Sequence, residues 1–164
     1  PVIEWDGQVI AESGAAVELI TARLGSGRLM PAPDSKDYVR YIEMLHYPEG
    51  SGALPWLMRL FSKAFGADNP ALSGYVKQQA TQHLDYIAKV LADRLYIVGA
   101  EFTAADIQLA FTLQMACRSS LFQERPVLVE YLRRLEARPA YERAIARGGL
   151  PYTLGLDHRA SRGE

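Results

Sequence analysis

The stretch YIVGAEFTAADIQLAF, Tyr96 to Phe111, carries the strongest local signal in this 164-residue chain. Thr103 suits the residue that opens a helix. Asp106 stands three positions on, where its carboxylate can reach back to the Thr103 N–H, and Phe102 can pack on Ile107. That is a capping box with a hydrophobic staple. Asp is shorter than the usual Glu, so the reach requires a tight turn. Ile107, Ala110, Phe111, Gln114 and Met115 continue an apolar stripe almost free of charge until Arg118. The pattern predicts a central, buried helix.

Helical spacing extends in both directions from this segment. Upstream, Asn69-Pro70 opens a long amphipathic helix that carries Val76, Ala80, Leu84, Ile87 and Leu91 and ends by about Arg94. Leu54, Leu57, Met58, Phe61 and Phe65 mark the helix before it. Tyr38, Tyr41, Ile42 and Leu45 mark another, starting near Ser35 and stopping or kinking at HYPEGSG, where Pro48 lacks a donor. Ser13 can cap a helix bearing Ala16, Val17 and Ile20 that ends near Gly25, and GSGRLMPAPDS reads as a linker. Downstream, Pro126 and Pro139 each fit a first helical position and begin two short helices. The start of the chain differs: Val2, Ile3 and Trp5, then Asp6-Gly7, then Val9-Ile10 spell a β-hairpin. A lone hairpin is marginal in water, so it needs helices to cover it or further strands to join it.

Composition limits the function classes. Apolar residues make up 49% and charged residues 23%, the balance of an ordinary globular domain, and the net charge of −1 attracts neither nucleic acid nor an anionic membrane. Arginines are dense from Arg125 to Arg147, but Glu130, Glu136 and Glu142 are interleaved at helical spacing, which reads as a solvated, salt-bridged face. No apolar run is long enough for a membrane span, and a soluble, cytoplasmic protein is expected. Cys117 is the single cysteine and lies on the helix expected to be buried, where a packed, inert thiol is the natural reading. His46, His83 and His158 show no metal-ligand spacing with it, and no metal is assigned.

In this order the segments resemble a glutathione transferase. PVIEWDGQVIAES is similar to the last two strands and third helix of that family's thioredoxin-like domain, with Pro1 at its cis-proline position. FTAADIQLAF resembles the capping motif of its all-helical domain, and HYPEGSG followed by LPWL is similar to a bacterial and fungal subgroup. Pro48 and Gly52 depart from that subgroup, which more often has Ala and a large apolar residue there. The resemblance implies a mainly α fold. Residues 1–26 would be the trailing part of a thioredoxin-like glutathione-binding domain, 34–155 an all-helical C-terminal domain and 156–164 a loose tail. It also implies that a strand, a helix, a strand and a helix precede Pro1. The catalytic Ser, Tyr or Cys would lie among them, so no catalytic residue is assigned in this chain.

The remaining implications concern ligands. A helix N-terminus with a hydroxyl suits a carboxylate, and a neighbouring Glu suits an ammonium group. By themselves, Ser13 and Glu12 read as an N-cap and a first-turn charge. With the resemblance they become, together with Val2, the contacts for glutathione as cosubstrate. His46 and Tyr47, beside the helix break, would line the pocket of a small hydrophobic electrophile. Thr103 and Asp106 remain a structural cap. The resemblance implies a homodimer joining one subunit's hairpin domain to the other's first long helices, near Tyr38 to Leu45, with no nucleic-acid or membrane partner. The implied activity is conjugation of an electrophile, or reduction of a peroxide or disulfide, by the glutathione thiolate. The alternative is a non-catalytic binding or scaffold protein of the same fold.

Overall fold

The hairpin forms as the sequence indicates. In the computed structural model, which describes residues 2–66 and 69–149, β1 (Ile3–Trp5) and β2 (Gln8–Ile10) pair antiparallel, with Ile3 opposite Ile10. Asp6 and Gly7 adopt φ values of 49° and 76°, the two left-handed residues that a tight hairpin turn needs. Pro1, with its expected cis bond, and residues 150–164, with the expected tail, lie outside the described residues.

Helices follow. α1 is Ser13–Leu24 and α2 Tyr38–Tyr47. A π-helical turn, Pro48–Gly52, leads into α3, Leu54–Ala64. α4 is Pro70–Leu91, begun by Asn69, whose side chain accepts from the N–H groups of Ala71 and Leu72. α5 is Ala104–Ala116, α6 Ser120–Gln123, α7 Pro126–Glu136 and α8 Pro139–Gly148. The core is built from Tyr41, Met44 and Leu45 of α2, Leu84, Ile87 and Leu91 of α4, Leu109 and Leu113 of α5, and Leu128 and Tyr131 of α7. Each fully buried aliphatic side chain contributes about 1.5–3 kcal/mol. α5 is the central helix, packed against α1, α2, the π turn and α7.

Three expectations need correcting. The stripe of Ile107 and Phe111 is not the buried face of α5, since these residues are 44% and 39% exposed. They line a groove against α8 instead. Because α5 is apolar nearly all round, spacing does not select a face. Its neighbours pack on the side carrying Ala105, Leu109, Thr112 and Ala116. The second helix begins at Tyr38 rather than near Ser35, which only closes a preceding turn by accepting from the Tyr38 N–H at 3.2 Å. At Pro48 the chain neither stops nor breaks. It widens by one residue, so that the Ala53 N–H donates to the Pro48 carbonyl at 2.8 Å. The Thr112 hydroxyl donates to that same carbonyl at 3.3 Å, fixing the turn to α5. Gly52 packs closely here: a Cβ would come to 3.4 Å, van der Waals contact, from both Thr112 Cγ2 and Tyr47 Cε1.

The capping box on α5 is formed, and it is part of a larger knot. The Asp106 carboxylate accepts from the Thr103 N–H at 2.7 Å and the Thr103 hydroxyl at 3.1 Å. It also accepts from the Ile97 N–H at 2.9 Å and the Tyr131 hydroxyl at 2.6 Å. Asp106 and Tyr131 are both buried. Burial pushes the Asp106 carboxyl above its usual range, against the lowering effect of these donors.

Removing the carboxylate takes the acceptor from two buried N–H groups and two buried hydroxyls, those of Thr103 and Tyr131. Asp106→Ala is therefore expected to cost about 3 kcal/mol or more, against about 1 kcal/mol for Thr103→Ala. The pH dependence has a definite sign. With the folded pKa above the unfolded one, the folded state holds the proton between the two values. Wild-type stability should therefore fall, relative to Asp106→Asn, as pH rises from the usual carboxylate range through the raised value. Denaturant midpoints across that window check both; equal midpoints for Asp106→Ala and wild type would remove the knot from the stability of the fold.

Candidate functional site

α1 begins directly after the hairpin, and its first turn is open. Glu12, not Ser13, is the N-cap residue, with φ −85° and ψ 129° and no side-chain capping bond. The expectation that Ser13 caps the helix is thus corrected: Ser13 is already the first helical residue. The first intrahelical bond runs from the Ala16 N–H to the Glu12 carbonyl at 2.9 Å. The N–H groups ahead of it have no carbonyl of α1 to pair with and lie at the positive end of the helix dipole. Relieved of capping, the Ser13 hydroxyl donates to Glu49 Oε1 at 2.9 Å.

Residues of four elements converge there. Glu49 comes from the π turn, and without that turn it would not stand opposite α1. A Cβ built on Gly14 would lie 3.7 Å from Gln108 Nε2 of α5 and 3.9 Å from His46 Nδ1 of α2. At Gly14, α1 thus passes within van der Waals reach of both groups. Gln108 is only 5% exposed and its Nε2 has no hydrogen-bond partner. Leaving such a donor unpaired costs about 1–3 kcal/mol. His46 Nε2 lies 4.0 Å from Glu18 Oε2, one turn further along α1. Tyr41 is buried behind this junction, and burial, with Glu18 and Tyr38 adding to it, pushes its hydroxyl up to about 12.

The structure separates His46 from Tyr47. Tyr47 turns to α4, where its hydroxyl shares a hydrogen bond with His83 Nδ1 at 2.5 Å and its ring meets Tyr86 at 5.2 Å. Burial, then Tyr86 and Glu43, raises its pKa, and burial lowers that of His83. Tyr47 is held as a packing residue while His46 faces α1. Val2 is exposed, just ahead of β1. Cys117 donates its S–H to the Gln114 carbonyl at 3.1 Å, and burial foremost pushes its thiol up, so little thiolate is present near neutral pH. Among the described residues no three His, Cys, Asp or Glu side chains are grouped to hold a metal ion. No helix among them is long and apolar enough to cross a membrane.

The junction's groups are therefore of the kind that suits a polar headgroup. Helix N–H groups, the Ser13 hydroxyl and the Gln108 amide are donors suited to a carboxylate. Glu12 and Glu49 are acceptors suited to an ammonium group. Gln108 and Glu49 had not been singled out in the sequence. A Gln within a predicted buried stretch was the only available hint of the first, and nothing local marks the second.

Comparison with known proteins bears on both halves of the chain. Residues 55–143 match the family described as glutathione S-transferase, C-terminal domain. The chain is 27% identical over 139 residues to glutathione S-transferase 3 of Schizosaccharomyces pombe, covering 76% of this chain and 57% of that protein. It thus spans less than two thirds of that relative. Among solved structures, a glutathione S-transferase from Actinobacillus pleuropneumoniae superposes with a TM-score of 0.81 at 27% identity, over 89% of this chain and 67% of that one. A sphingomonad glutathione S-transferase complexed with glutathione gives 0.77 at 25% identity, over 92% and 74%.

Proposed function

Because the chain belongs to the glutathione S-transferase family, with its helical bundle as the C-terminal domain, we propose that the junction at the start of α1 binds the γ-glutamyl end of glutathione in a catalytically active transferase. The observation that carries this is the open first turn of α1. Its N–H groups and the Ser13 hydroxyl face a position beside which Gln108 holds an unpaired amide. On this reading Ser13 donates to the α-carboxylate of the ligand and Glu12 accepts from its ammonium group. Glu49 releases the Ser13 hydroxyl when the ligand enters. Val2, just ahead of β1, supplies backbone to the bound peptide, and His46 flanks the electrophile. The group that activates the thiol belongs upstream of Pro1. The reaction is attack by the glutathione thiolate on a small hydrophobic electrophile, a peroxide or a disulfide, in the cytoplasm. A scaffold protein of this fold has no use for an amino-acid clamp, which is what favours the enzyme.

Hydrogen bonds to charged groups contribute roughly 1.5–3 kcal/mol, so Ser13→Ala or Glu12→Ala in the complete protein should weaken glutathione binding about ten- to a hundredfold. Because Ser13 bonds only an exposed carboxylate and caps nothing, Ser13→Ala should shift stability by less than about 0.5 kcal/mol. Glu49→Gln removes a negative charge suited to the ammonium group and should weaken binding by about fivefold. Titration calorimetry of the three variants beside their thermal unfolding provides the check. Unchanged affinity in all three would take the ligand away from this junction.

We further propose a homodimer through the outer face of α2, where Val39 is 78% exposed. Light scattering of the complete protein at micromolar concentration should give twice the chain mass, and a monomer there would count against the dimer.

A further inference from the structure

A chain of polar side chains joins α2 to α4 beside the π turn. His83 and Tyr86 stand three residues apart on one face of α4. The Tyr47 ring packs against both, with ring centroids 5.6 Å and 5.2 Å away. The Tyr47 hydroxyl meets His83 Nδ1 at 2.5 Å. The Tyr86 hydroxyl donates to Glu43 of α2 and accepts at 3.1 Å from Arg40, which also pairs with Glu43. Burial raises the Tyr47 phenol and lowers the His83 imidazole. Near neutral pH Tyr47 is therefore the donor and His83 Nδ1 the acceptor, with the ring proton on Nε2.

This bond lies at the root of the turn that supplies Glu49. Tyr47 is the last residue of α2 and leads directly into Pro48–Gly52. A Cβ on Gly52, at the turn's other end, would lie 3.4 Å from Tyr47 Cε1, so the same ring braces entry and exit. Thr112 of α5 holds the turn through the Pro48 carbonyl, and Tyr47, tied to His83, holds it from α4. Between these two restraints Glu49 reaches the Ser13 hydroxyl at 2.9 Å. Any acceptor could anchor a packed tyrosine hydroxyl. An imidazole is an acceptor that one proton removes.

The charged groups on the other elements packed against α4 are engaged elsewhere. Arg59 and Lys63 of α3 line the opening at that helix's far end, together with Lys77 of α4. Arg125, ahead of α7, pairs with Asp85 of α4, and within α7 Arg133 pairs with Glu130. α6 carries no titratable side chain. Among the described residues His83 is in no ion pair, and the groups facing it are Tyr47 and, through Tyr86, the Glu43–Arg40 pair.

We propose that His83 is a positioning residue for the glutathione junction: as a neutral acceptor for Tyr47 it holds the π turn with Glu49 opposite the start of α1, and a proton on Nδ1 releases that hold and weakens binding of the ligand's ammonium end. This rests on the reading of the junction as a γ-glutamyl site. His83 gains its proton as pH falls, so affinity falls with it, and burial places the step below the usual imidazole range.

The test titrates the complete protein with S-methylglutathione by calorimetry between about pH 7 and 5, where the ligand's own groups hardly change charge. Affinity should fall about three- to tenfold toward the acid end. In His83→Asn, whose Oδ1 replaces Nδ1 as an acceptor that does not titrate, the neutral-pH affinity should stay within about twofold and the step should vanish. His83→Leu should bind weakly at every pH. Glu49→Gln should also lose the step, because the coupling runs through Glu49, whereas His46→Gln, lacking the other imidazole near the junction, should keep it. A flat wild-type profile, a step that survives His83→Asn or one that disappears in His46→Gln would overturn the coupling and leave the γ-glutamyl reading in place. Equal loss of affinity in His83→Asn and His83→Leu, the result of a merely packed imidazole, would do the same. Affinity unchanged in both Ser13→Ala and Glu12→Ala in the same titration would overturn the coupling and that reading together.

Discussion

The Asp106 carboxylate is the interaction on which the remaining structure depends. It gathers four hydrogen bonds from three places in the chain: the Ile97 N–H before α5, Thr103 at its cap and the Tyr131 hydroxyl on α7. A buried carboxylate is costly unless nearly all of its acceptor capacity is used, so the donors must arrive together. Their arrival fixes where α5 begins and how it is rotated. From that rotation follow two contacts that shape the site: Thr112 holds the π turn through the Pro48 carbonyl, and Gln108 is brought beside Gly14 of α1. The turn in turn presents Glu49 to Ser13. The chain of dependence runs from a cap, through a helix, to the junction.

Local chemistry was legible in the sequence and tertiary choice was not. Thr103 and Asp106 could be paired because the capping box needs only a spacing of three. Tyr131, 25 residues away, could not be added to them, since only the packing of α7 on α5 brings it there. The Asp6-Gly7 turn was readable for the same local reason. Ser13 was read one position wrongly because Glu12 and Ser13 both tolerate the extended backbone of an N-cap, and the hairpin's exit decides between them. The apolar stripe of Ile107 and Phe111 does not mark the packed face, because hydrophobic content alone does not choose one. A helix apolar on every side is oriented by its neighbours, and here they require the smaller side chains. Glu49 became visible only once Pro48 to Gly52 were seen to widen the helix instead of ending it.

The near-zero net charge conceals a separation along the molecule. Glu12, Glu18 and Glu49 gather about the start of α1, while Arg59, Lys63 and Lys77 surround the opening at the other end of α3. An acidic junction suits a headgroup that carries an ammonium as well as a carboxylate, as the proposed γ-glutamyl group does.

The placement of the γ-glutamyl group at the start of α1 is tested most directly by titrating the complete ¹⁵N-labelled protein with S-methylglutathione and following its amide resonances. The largest shifts should fall on the backbone amides of Ser13 and Gly14 and on the side-chain amide of Gln108, with the amides around Lys63 and Lys77 unmoved. Saturable shifts elsewhere, with Ser13, Gly14 and Gln108 unperturbed, would contradict that placement.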